Sequence, residues 1–361
     1  MTWDGVDVVV VGGGVVGCAV AHALSRARRS VVLLEKGPRL GEGITSRNSG
    51  VIHSGLYYAP NSLKAQSCIR GNVLLYAWAA AKGVWHRKTG KLVVATHEGQ
   101  REALEKLHAN VVASGAPGCT LLPGNEVTRL EPSLQVAAAM MCAETGVVDP
   151  TELTHSLAIA AEEHGATILS HAAVHGLERG PDGWRVDSAR GRVSTRWVVN
   201  AAGLDADRVA CLAGVTAYQL HPCRGDYFRL STAVEYRHLI YPVKDKRSAG
   251  LGVHLALDRG GGYRLGPDAE YVERRDDFSS AEHKLLAFHA AAQQLLGPLR
   301  VDQLRYDGCG IRPKLRAPDE PDEKDFVLCE DLPGFVNLVG IESPGLTASL
   351  DLAERVAALC R

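Results

Sequence analysis

The sequence predicts an α/β fold (α+β overall), with one parallel and one antiparallel sheet carried by interleaved parts of the chain. Residues 6–11 form an apolar, mostly β-branched run, which is typical of a strand buried on both faces. A glycine turn, a helical pattern at residues 15–24 and a second apolar strand at residues 30–34 follow. Short β-α-β connections of this kind build a parallel sheet. Alternating segments separated by turn residues predict the antiparallel sheet: residues 220–230, 239–243, 251–257 and 262–265.

The remaining segments continue this pattern. Residues 37–60 are too rich in Gly, Ser and Asn for a regular element, and loops of this length in compact domains are usually functional. The charged residues 319–325 are interpreted as a solvated loop, and residues 260–262 as a hairpin turn. Further helices are predicted at residues 62–83, 99–114, 151–164, 279–296 and 345–360. Further strands are predicted at residues 91–96, 335–339 and, as a meander that returns to the first sheet, 167–170, 173–179, 184–188 and 193–200.

Composition and charge narrow the class of protein. Apolar residues make up 46% and charged residues 22% of the chain, as in ordinary soluble domains, and the net charge of −1 gives no reason to expect nucleic acid as a partner. Residues 8–25 carry no charge, but their glycines and His22 make them a poor membrane span or secretory signal. The nine cysteines are scattered without a C-x-x-C pair, so neither a disulfide framework nor a metal site is expected. We therefore expect a cytoplasmic protein with reduced cysteines; peripheral contact with the inner membrane face stays open.

The glycine turn carries a dinucleotide motif. Gly12, Gly14 and Gly17 form G-x-G-x-x-G, with Val15 and Val16 opening the helix. The glycines permit a tight turn, close approach of a pyrophosphate and close packing of helix on strand, and the helix N-terminus favours an anion. Glu35 closes the second strand, where its carboxylate can accept hydrogen bonds from ribose hydroxyls. The interpretation is a Rossmann-like domain binding one dinucleotide, NAD or FAD; the alternative is a glycine-rich turn in an unrelated α/β protein.

Longer motifs add a family resemblance. Residues 7–17 with Glu35 and Lys36 resemble the D-amino-acid-oxidase-like FAD-dependent oxidoreductase superfamily. The run Ser-Arg-Asn-Ser-Gly-Val-Ile-His-Ser-Gly-Leu-Tyr-Tyr at residues 46–58 is similar to its L-2-hydroxyglutarate dehydrogenase/oxidase branch. Further matches at residues 63–65, 224–227, 241–243, 251–254, 265–267, 310–314 and 340–347 extend the resemblance over nearly the whole chain. The resemblance implies FAD, a discontinuous FAD-binding domain (1–85, 145–215 and 300–361) and an antiparallel substrate domain (86–144 and 216–299).

The resemblance also assigns cofactor residues. Residues 45–49 would wrap the flavin, Val174 would meet the adenine, and the segment 340–347 would face the flavin N1/C2=O edge, where fixed donors favour reduction. Asp205 departs from the family pattern, because an aromatic residue is common there. The implied cofactor residues, besides the glycine motif with Glu35 and Lys36, are Thr45, Ser46, Arg47, Asn48, Ser49, Val174, Ala201, Ala202, Gly203, Gly310, Arg312, Gly340, Ile341, Glu342, Ser343, Gly345, Leu346 and Thr347.

Four residues are predicted to act on the substrate. Arg312, in a Gly-Ile-Arg-Pro motif similar to that of glycine oxidase, would hold a carboxylate with its planar fork; a surface ion pair is the alternative. His53 and His254 are alternative bases for a hydroxyl proton, since neutral imidazole titrates near working pH. Tyr241 would hydrogen-bond the substrate or pack in the core, and Ser343 is a further candidate. A second carboxylate would need another cation, for which the candidates are Lys64, Arg224 and Lys244.

Three functions remain open from the sequence. The first is FAD-dependent oxidation of a small 2-hydroxy acid, with L-2-hydroxyglutarate as the leading substrate. The second keeps the fold but oxidises an amine, as glycine and sarcosine oxidases do. The third is a flavin-binding protein with a non-redox or RNA-modifying role, against which the near-neutral charge argues. The electron acceptor, whether O2, a quinone or a protein, is left open.

Overall fold

The computed structural model describes residues 2–243 and 252–361. Lys244 and Leu251, which both entered the sequence argument, lie outside these residues. Within them the chain forms eight α-helices and twenty strands. The helices are α1 (Val15–Arg26), α2 (Leu63–Lys82), α3 (Arg101–Ser114), α4 (Gly124–Leu130), α5 (Pro150–Glu163), α6 (Ala206–Leu212), α7 (Leu285–Leu296) and α8 (Gly345–Leu359). The strands are β1 (Thr2–Val11), β2 (Val31–Leu34), β3 (Val51–Ile52), β4 (His86–Arg87), β5 (Lys91–Ala95), β6 (Cys119–Pro123), β7 (Ala138–Cys142), β8 (Gly146–Val148), β9 (Thr167–Leu169), β10 (Val174–Gly180), β11 (Gly183–Ser188), β12 (Gly191–Asn200), β13 (His221–Leu230), β14 (Leu239–Pro242), β15 (Leu255–Leu257), β16 (Tyr263–Leu265), β17 (Glu270–Tyr271), β18 (Leu304–Lys314), β19 (Val327–Leu332) and β20 (Phe335–Val339).

The first sheet has a parallel core in the order β9-β2-β1-β12-β20. Three of the four strands predicted as a meander form one, because β10, β11 and β12 pair antiparallel in sequence before β12 joins β1. The first, β9, instead pairs parallel with β2. Val8 and Val10 pack on one face with residues of α1, α5 and α8. Val9 and Val11 pack on the other face with β2 and Phe335. The apolar run at residues 6–11 therefore marks a strand covered on both sides, as expected.

The second sheet is mostly antiparallel and lies across the cleft from the glycine turn. Its order is β13-β16-β15-β14-β5-β7-β6, with β18 on the outer side of β13. All described pairings in it are antiparallel except that of β14 with β5. Strand β18 pairs with β13 over the full length of both, so the antiparallel sheet extends beyond the predicted boundary at residue 300. The sequence did not predict β18, because its largely polar residues show no alternating apolar pattern.

Several boundaries differ from the sequence prediction. The helix predicted from residue 279 begins at Leu285, after a 3₁₀ turn at Glu282–Lys284. The strand predicted at residues 251–257 is regular only from Leu255. Strands β6 and β7 were not predicted, because prolines and glycines around them suggested turns. Strand β7 pairs with β5 and β6 pairs with β7, so both owe their strand conformation to tertiary pairing.

A tight contact between α2 and α8 fixes the loop that precedes α2. A Cβ on Gly71 would lie 2.3 Å from the carbonyl oxygen of Thr347, so only glycine allows the two helices this approach. The N-terminus of α2 is capped by Ser62 and also by Asp325, whose carboxylate accepts from the backbone N–H groups of residues 63 and 64 at 2.7 and 2.9 Å. The loop at residues 319–325 is therefore not merely solvated. Through Asp325 it caps α2, the helix that follows the loop at residues 37–60.

Candidate dinucleotide and substrate site

The glycine turn has the shape that a pyrophosphate requires. Gly12 has φ +108°, and a Cβ there would lie 2.5 Å from the carbonyl oxygen of Ala201. A Cβ on Gly17 would lie 1.9 Å from the carbonyl oxygen of Gly12, so the turn closes only with glycine at both positions. Gly14 is the N-cap of α1 and has no side chain with which to cap the helix. The amides of Val15 and Val16 open this helix, which leaves its positive end facing the cleft.

Glu35 lies beside this turn, directly after β2. Its Oε2 accepts from the amide of Gly13 at 2.6 Å, and its Oε1 accepts from the amide of Gly37 at 2.7 Å. The carboxylate is thereby fixed at the carboxyl end of the parallel strands, where dinucleotides bind in doubly wound folds. Each oxygen keeps a lone pair for a ribose hydroxyl. Lys36 forms an ion pair with Asp205, their side chains 2.6 Å apart. Asp205 is the residue that departs from the aromatic one common at this position in the resembling family.

The loop at residues 45–49 closes over the start of α1. The Thr45 hydroxyl accepts from the amide of Val15 at 3.1 Å, and the Asn48 amide donates to the carbonyl of Thr45 at 2.6 Å. A Cβ on Gly310 would lie 2.1 Å from the carbonyl oxygen of Arg47, so strand β18 can touch this loop only through glycine. The loop, which also contains Ser46 and Ser49, is therefore enclosed between the glycine turn and the substrate sheet. The Ser49 hydroxyl reaches Tyr227 of β13 at 3.2 Å.

The segment after β12 lines the same crevice from the other side. The amide of Ala201 donates to the carbonyl of Val11 at 2.9 Å, and that of Ala202 to the Asn200 side chain at 3.3 Å. Gly203 has φ +58° and packs against residue 44 of the loop. Val174 and Ala202 join the apolar cluster beneath β1. The glycine turn, Glu35 and these two segments lie against one another, and the predicted cofactor residues among them, the cradle residues, would hold FAD, whereas Lys36 is paired with Asp205.

The N-terminus of α8 meets the loop that carries His53. The Thr347 hydroxyl accepts from the backbone amide of His53 at 3.0 Å, and the Asn72 side chain donates to the His53 carbonyl at 2.9 Å. The Ser343 hydroxyl lies 3.3 Å from Nε2 of the His53 ring. Gly345 begins the helix, where a Cβ would lie 2.7 Å from the side chain of Ile341. Both the backbone and the ring of His53 are thus fixed against a helix N-terminus.

The remaining members of the segment 340–347 have structural contacts. Gly340 has φ +71°, which allows the turn between β20 and α8. Leu346 packs against the main apolar core. The Glu342 carboxylate lies between Lys64 at 3.1 Å and Lys314 at 3.2 Å, all three side chains being largely buried. Glu342 therefore balances two cations beside the cleft.

Both candidate bases are neutral imidazoles in this environment. Burial, helped by the charge of Lys91, lowers the pKa of His53 to about 3. Burial also lowers the pKa of His254 to about 3, with smaller contributions from Lys91 and Arg312. The His254 ring stacks on Tyr241 with centroids 3.9 Å apart. The His53 ring nitrogen contacts the Ser343 hydroxyl. His254 instead has a hydrogen bond with the backbone of Gly252, which partly offsets the effect of burial on its pKa.

Arg312 is half-buried on β18 and forms no ion pair with a carboxylate in the described residues. Its guanidinium donates instead to two backbone carbonyls, that of Asp268 at 3.0 Å and that of Arg224 at 3.4 Å. A Cβ on Gly225 would lie 2.8 and 2.9 Å from the two terminal nitrogens, so this glycine makes room for the fork. The surface ion pair considered as the alternative for Arg312 is not formed.

Two proposed cations for a second carboxylate are already paired. Lys64 contacts Glu342, as described above. Arg224 donates to the fully buried Asp226 at 2.8 Å, and Asp226 also binds Lys284 at 2.7 Å. Lys244 lies outside the described residues. Neither Lys64 nor Arg224 is therefore available in this arrangement without breaking a buried ion pair.

Sequence reasoning missed four residues of this site. Tyr57 and Tyr58 lie beside His53, and the Tyr58 hydroxyl is in hydrogen-bond contact with Ser343. Lys91 is fully buried near the rings of Tyr57 and Tyr241. Gly225, described above, accommodates Arg312. For Lys91 the available signal was a single charge at the start of an apolar strand, and for Gly225 it was a glycine inside one.

The parallel sheet with its glycine turn and fixed carboxylate defines a protein of the dinucleotide-binding class. The model of the family described as FAD dependent oxidoreductase matches residues 7–359. The chain therefore belongs to this family. This confirms the predicted fold class, the FAD cofactor and the superfamily resemblance, and it makes the chain an FAD-dependent oxidoreductase.

Three curated relatives show the range of similar proteins. The mitochondrial L-2-hydroxyglutarate dehydrogenase of Arabidopsis thaliana is 34% identical over 406 aligned residues, which cover 98% of this chain and 83% of the relative. The human enzyme of the same name is 36% identical over 76% of this chain, and the match spans 64% of the human protein. The glycerol 3-phosphate dehydrogenase of Caloramator mitchellensis is 30% identical over 95% of this chain and 71% of its own.

Solved structures show the same architecture. The dithionite-reduced L-α-glycerophosphate oxidase of Mycoplasma pneumoniae with FAD bound has a TM-score of 0.89 and 26% identity, and the match covers 100% of this chain and 94% of that one. Glycine oxidase from Geobacillus kaustophilus has a TM-score of 0.84 and 22% identity, covering 98% and 94%. The second likeness concerns the fold alone.

Proposed function

We propose that this chain oxidises a small 2-hydroxy acid, with L-2-hydroxyglutarate as the leading substrate and 2-oxoglutarate as the product. The observation that carries the proposal is the combination of a neutral imidazole at His53, in contact with Ser343, and a half-buried Arg312 that donates to two backbone carbonyls and to the Cys223 sulfur. The names of the dehydrogenases that share about a third of this sequence support the substrate.

The cradle residues would hold FAD, which supplies the hydride acceptor at its N5 atom. Arg312 would bind the substrate carboxylate through two parallel hydrogen bonds, which orients C2. His53 would take the hydroxyl proton, and Ser343 would hold the hydroxyl against the ring. The incoming carboxylate brings a negative charge, which raises the proton affinity of an imidazole depressed by burial. The free amides at the start of α8 would stabilise negative charge at the far edge of the ring system.

The test is anaerobic mixing of the FAD-loaded protein with L-2-hydroxyglutarate, glycerol 3-phosphate, glycine and sarcosine in parallel. We expect the hydroxy acid to bleach the flavin absorbance fastest. Faster bleaching by glycine or sarcosine would replace the proposal with an amine oxidase. A failure of all four would favour a non-redox role for the flavin.

His53→Ala, with the exposed His155→Ala as a surface control, separates chemistry from binding. We expect the His53 variant to lose about 10²–10⁴-fold in the rate of flavin reduction, which is the usual contribution of a positioned base, with little change in the dissociation constant of the substrate. An unchanged rate of flavin reduction would show that His53 is not the base and would leave His254 as the candidate.

We also infer a cytoplasmic location, which the nine free cysteines support, since thiols persist in reducing compartments. No helix of the described residues is long and apolar enough to span a membrane. The electron acceptor would be identified by re-oxidising the reduced protein with O2 or with a soluble quinone and comparing the two rates.

A further inference from the structure

Lys91 is a buried lysine that packs between two tyrosine rings. It is the first residue of β5, its side chain is 0% exposed, and its Nζ has no hydrogen-bond partner among residues 2–243 and 252–361. The ammonium lies 5.0 Å from the ring centroid of Tyr57 and 4.7 Å from that of Tyr241. Val93, two residues along the strand and therefore on the same face, belongs to an apolar cluster with Tyr241 and Met140.

An ammonium has three donors and is costly to bury without acceptors, and burial accordingly lowers the pKa of Lys91. A carboxylate brought by a ligand would supply the acceptor and favour the charged form of Lys91. Two aromatic faces attract a cation but accept no strong hydrogen bond. The other lysines beside the cleft are balanced: Lys64 and Lys314 share Glu342, and Lys284 binds Asp226. Lys91 forms no ion pair with any carboxylate in the part of the chain that is described.

The neighbours of Lys91 connect it to the reacting groups. Tyr57 is partly exposed and follows His53 in the same loop. Tyr241 contacts Lys91 with its ring and stacks on His254 at 3.9 Å. Lys91 and Arg312 both lower the pKa of His254, so each lies within electrostatic range of that ring. The two cations are therefore placed around one pair of stacked rings.

We propose that Lys91 determines specificity by binding the second carboxylate of a dicarboxylic substrate, while Arg312 holds the first. The inference rests on the proposed function and names the substrate class of the same site. Tyr57 would shift on binding, so that a distal carboxylate supplies the acceptor that the ammonium lacks. Substrates with a neutral tail would bind without this contact. Arg224 and Lys64, the cations considered from the sequence, would keep their structural ion pairs.

The experiment compares FAD-loaded wild type, Lys91→Met and the control Lys88→Met, in which a half-exposed lysine paired with Glu144 is replaced. Each protein is titrated with glutarate and with pentanoate, which have equal chain length but two carboxylates and one, and the flavin absorbance is followed. Methionine has a similar length and no charge, so the buried site stays filled. We expect glutarate to bind Lys91→Met about 10- to 100-fold more weakly, with pentanoate within about twofold. The control should match wild type.

Turnover gives a second, independent measurement. With L-2-hydroxyglutarate, Lys91→Met should raise KM with little change in kcat, and with 2-hydroxypentanoate neither should change. Equal losses for both substrates, or a fall in kcat alone, would overturn the proposal and make Lys91 an electrostatic support for the histidines. Equal binding of glutarate and pentanoate by wild type would also overturn it.

The glutarate titration does not depend on turnover, so the two proposals fail separately. Selective glutarate binding that is lost in Lys91→Met supports the role of Lys91 even if L-2-hydroxyglutarate proves a poor donor. Rapid reduction by a monocarboxylic hydroxy acid, with no selectivity for glutarate, refutes the role of Lys91 but leaves the reaction class intact.

Discussion

Gly225→Ala tests how Arg312, the residue proposed to bind the substrate carboxylate, is held. Gly225 has no left-handed backbone conformation, so alanine causes no backbone strain there. The added Cβ would lie 2.8 and 2.9 Å from the terminal nitrogens of Arg312 and 2.7 Å from Pro267. Because the guanidinium is the end of a flexible side chain, it would move and lose its contacts with the carbonyls of Asp268 and Arg224. A displaced fork forfeits a charged hydrogen bond of about 1.5–3 kcal/mol, or roughly a 10- to 150-fold rise in KM.

The assay is steady-state oxidation of L-2-hydroxyglutarate together with the dissociation constant of FAD, which should stay within about twofold because Gly225 is not part of the cradle. Gly180→Ala is the matched control, since it changes a strand glycine whose nearest neighbour would be 3.8 Å away. In an Arg312→Lys background, Gly225→Ala should add little, because both changes disable one contact. Fully additive losses in the double variant, or a normal KM in the single one, would refute the assigned role of Gly225.

Two further predictions concern the cofactor and the histidines. Gly12→Ala should yield a colourless protein that does not take up added FAD, because its Cβ would meet the Ala201 carbonyl at 2.5 Å; a yellow product with normal absorbance would contradict the cradle. His53 and His254 have folded-state pKa values of about 3, below the usual 6.5, so the unfolded chain binds more protons between these values. Stability is therefore full above pH 6.5 and falls toward pH 3, by up to about 1.4 kcal/mol per pH unit for each histidine. Urea unfolding at several pH values should show this slope, and the double Asn variant should show a shallower one.

The sequence predicted those parts of the molecule that short segments encode. The strand at residues 6–11, the turn with its glycines and the helix after it follow from periodicity and allowed backbone angles, which need only a few neighbouring residues. The terminal strand at residues 335–339 has the predicted bounds for the same reason. By contrast, β18 carries polar residues and Gly310, and its strand conformation depends on pairing with β13.

The candidate site was predicted in its residue types but not in its partners. Motifs identified His53, Arg312 and Ser343 as candidate site residues. No feature of the neighbouring sequence indicates that His53 and Ser343, which are 290 residues apart, are in contact. The sequence also suggested Lys64 and Arg224 as free cations, and the structure pairs both with buried acids. Charge balance inside a protein is decided by which side chains meet after folding.

By itself the sequence determined a βαβ unit of the dinucleotide-binding type, the family, and the residue types proposed for the substrate site. Only the tertiary structure decided that Gly225 gives Arg312 its space, that Asp325 caps a distant helix, and that Lys91 has no acceptor among the described residues. The physical reason is the distance along the chain between the residues that interact. Backbone conformation is dictated by neighbours along the chain, whereas burial, ion pairing and steric fit arise from segments brought together by packing of the two sheets.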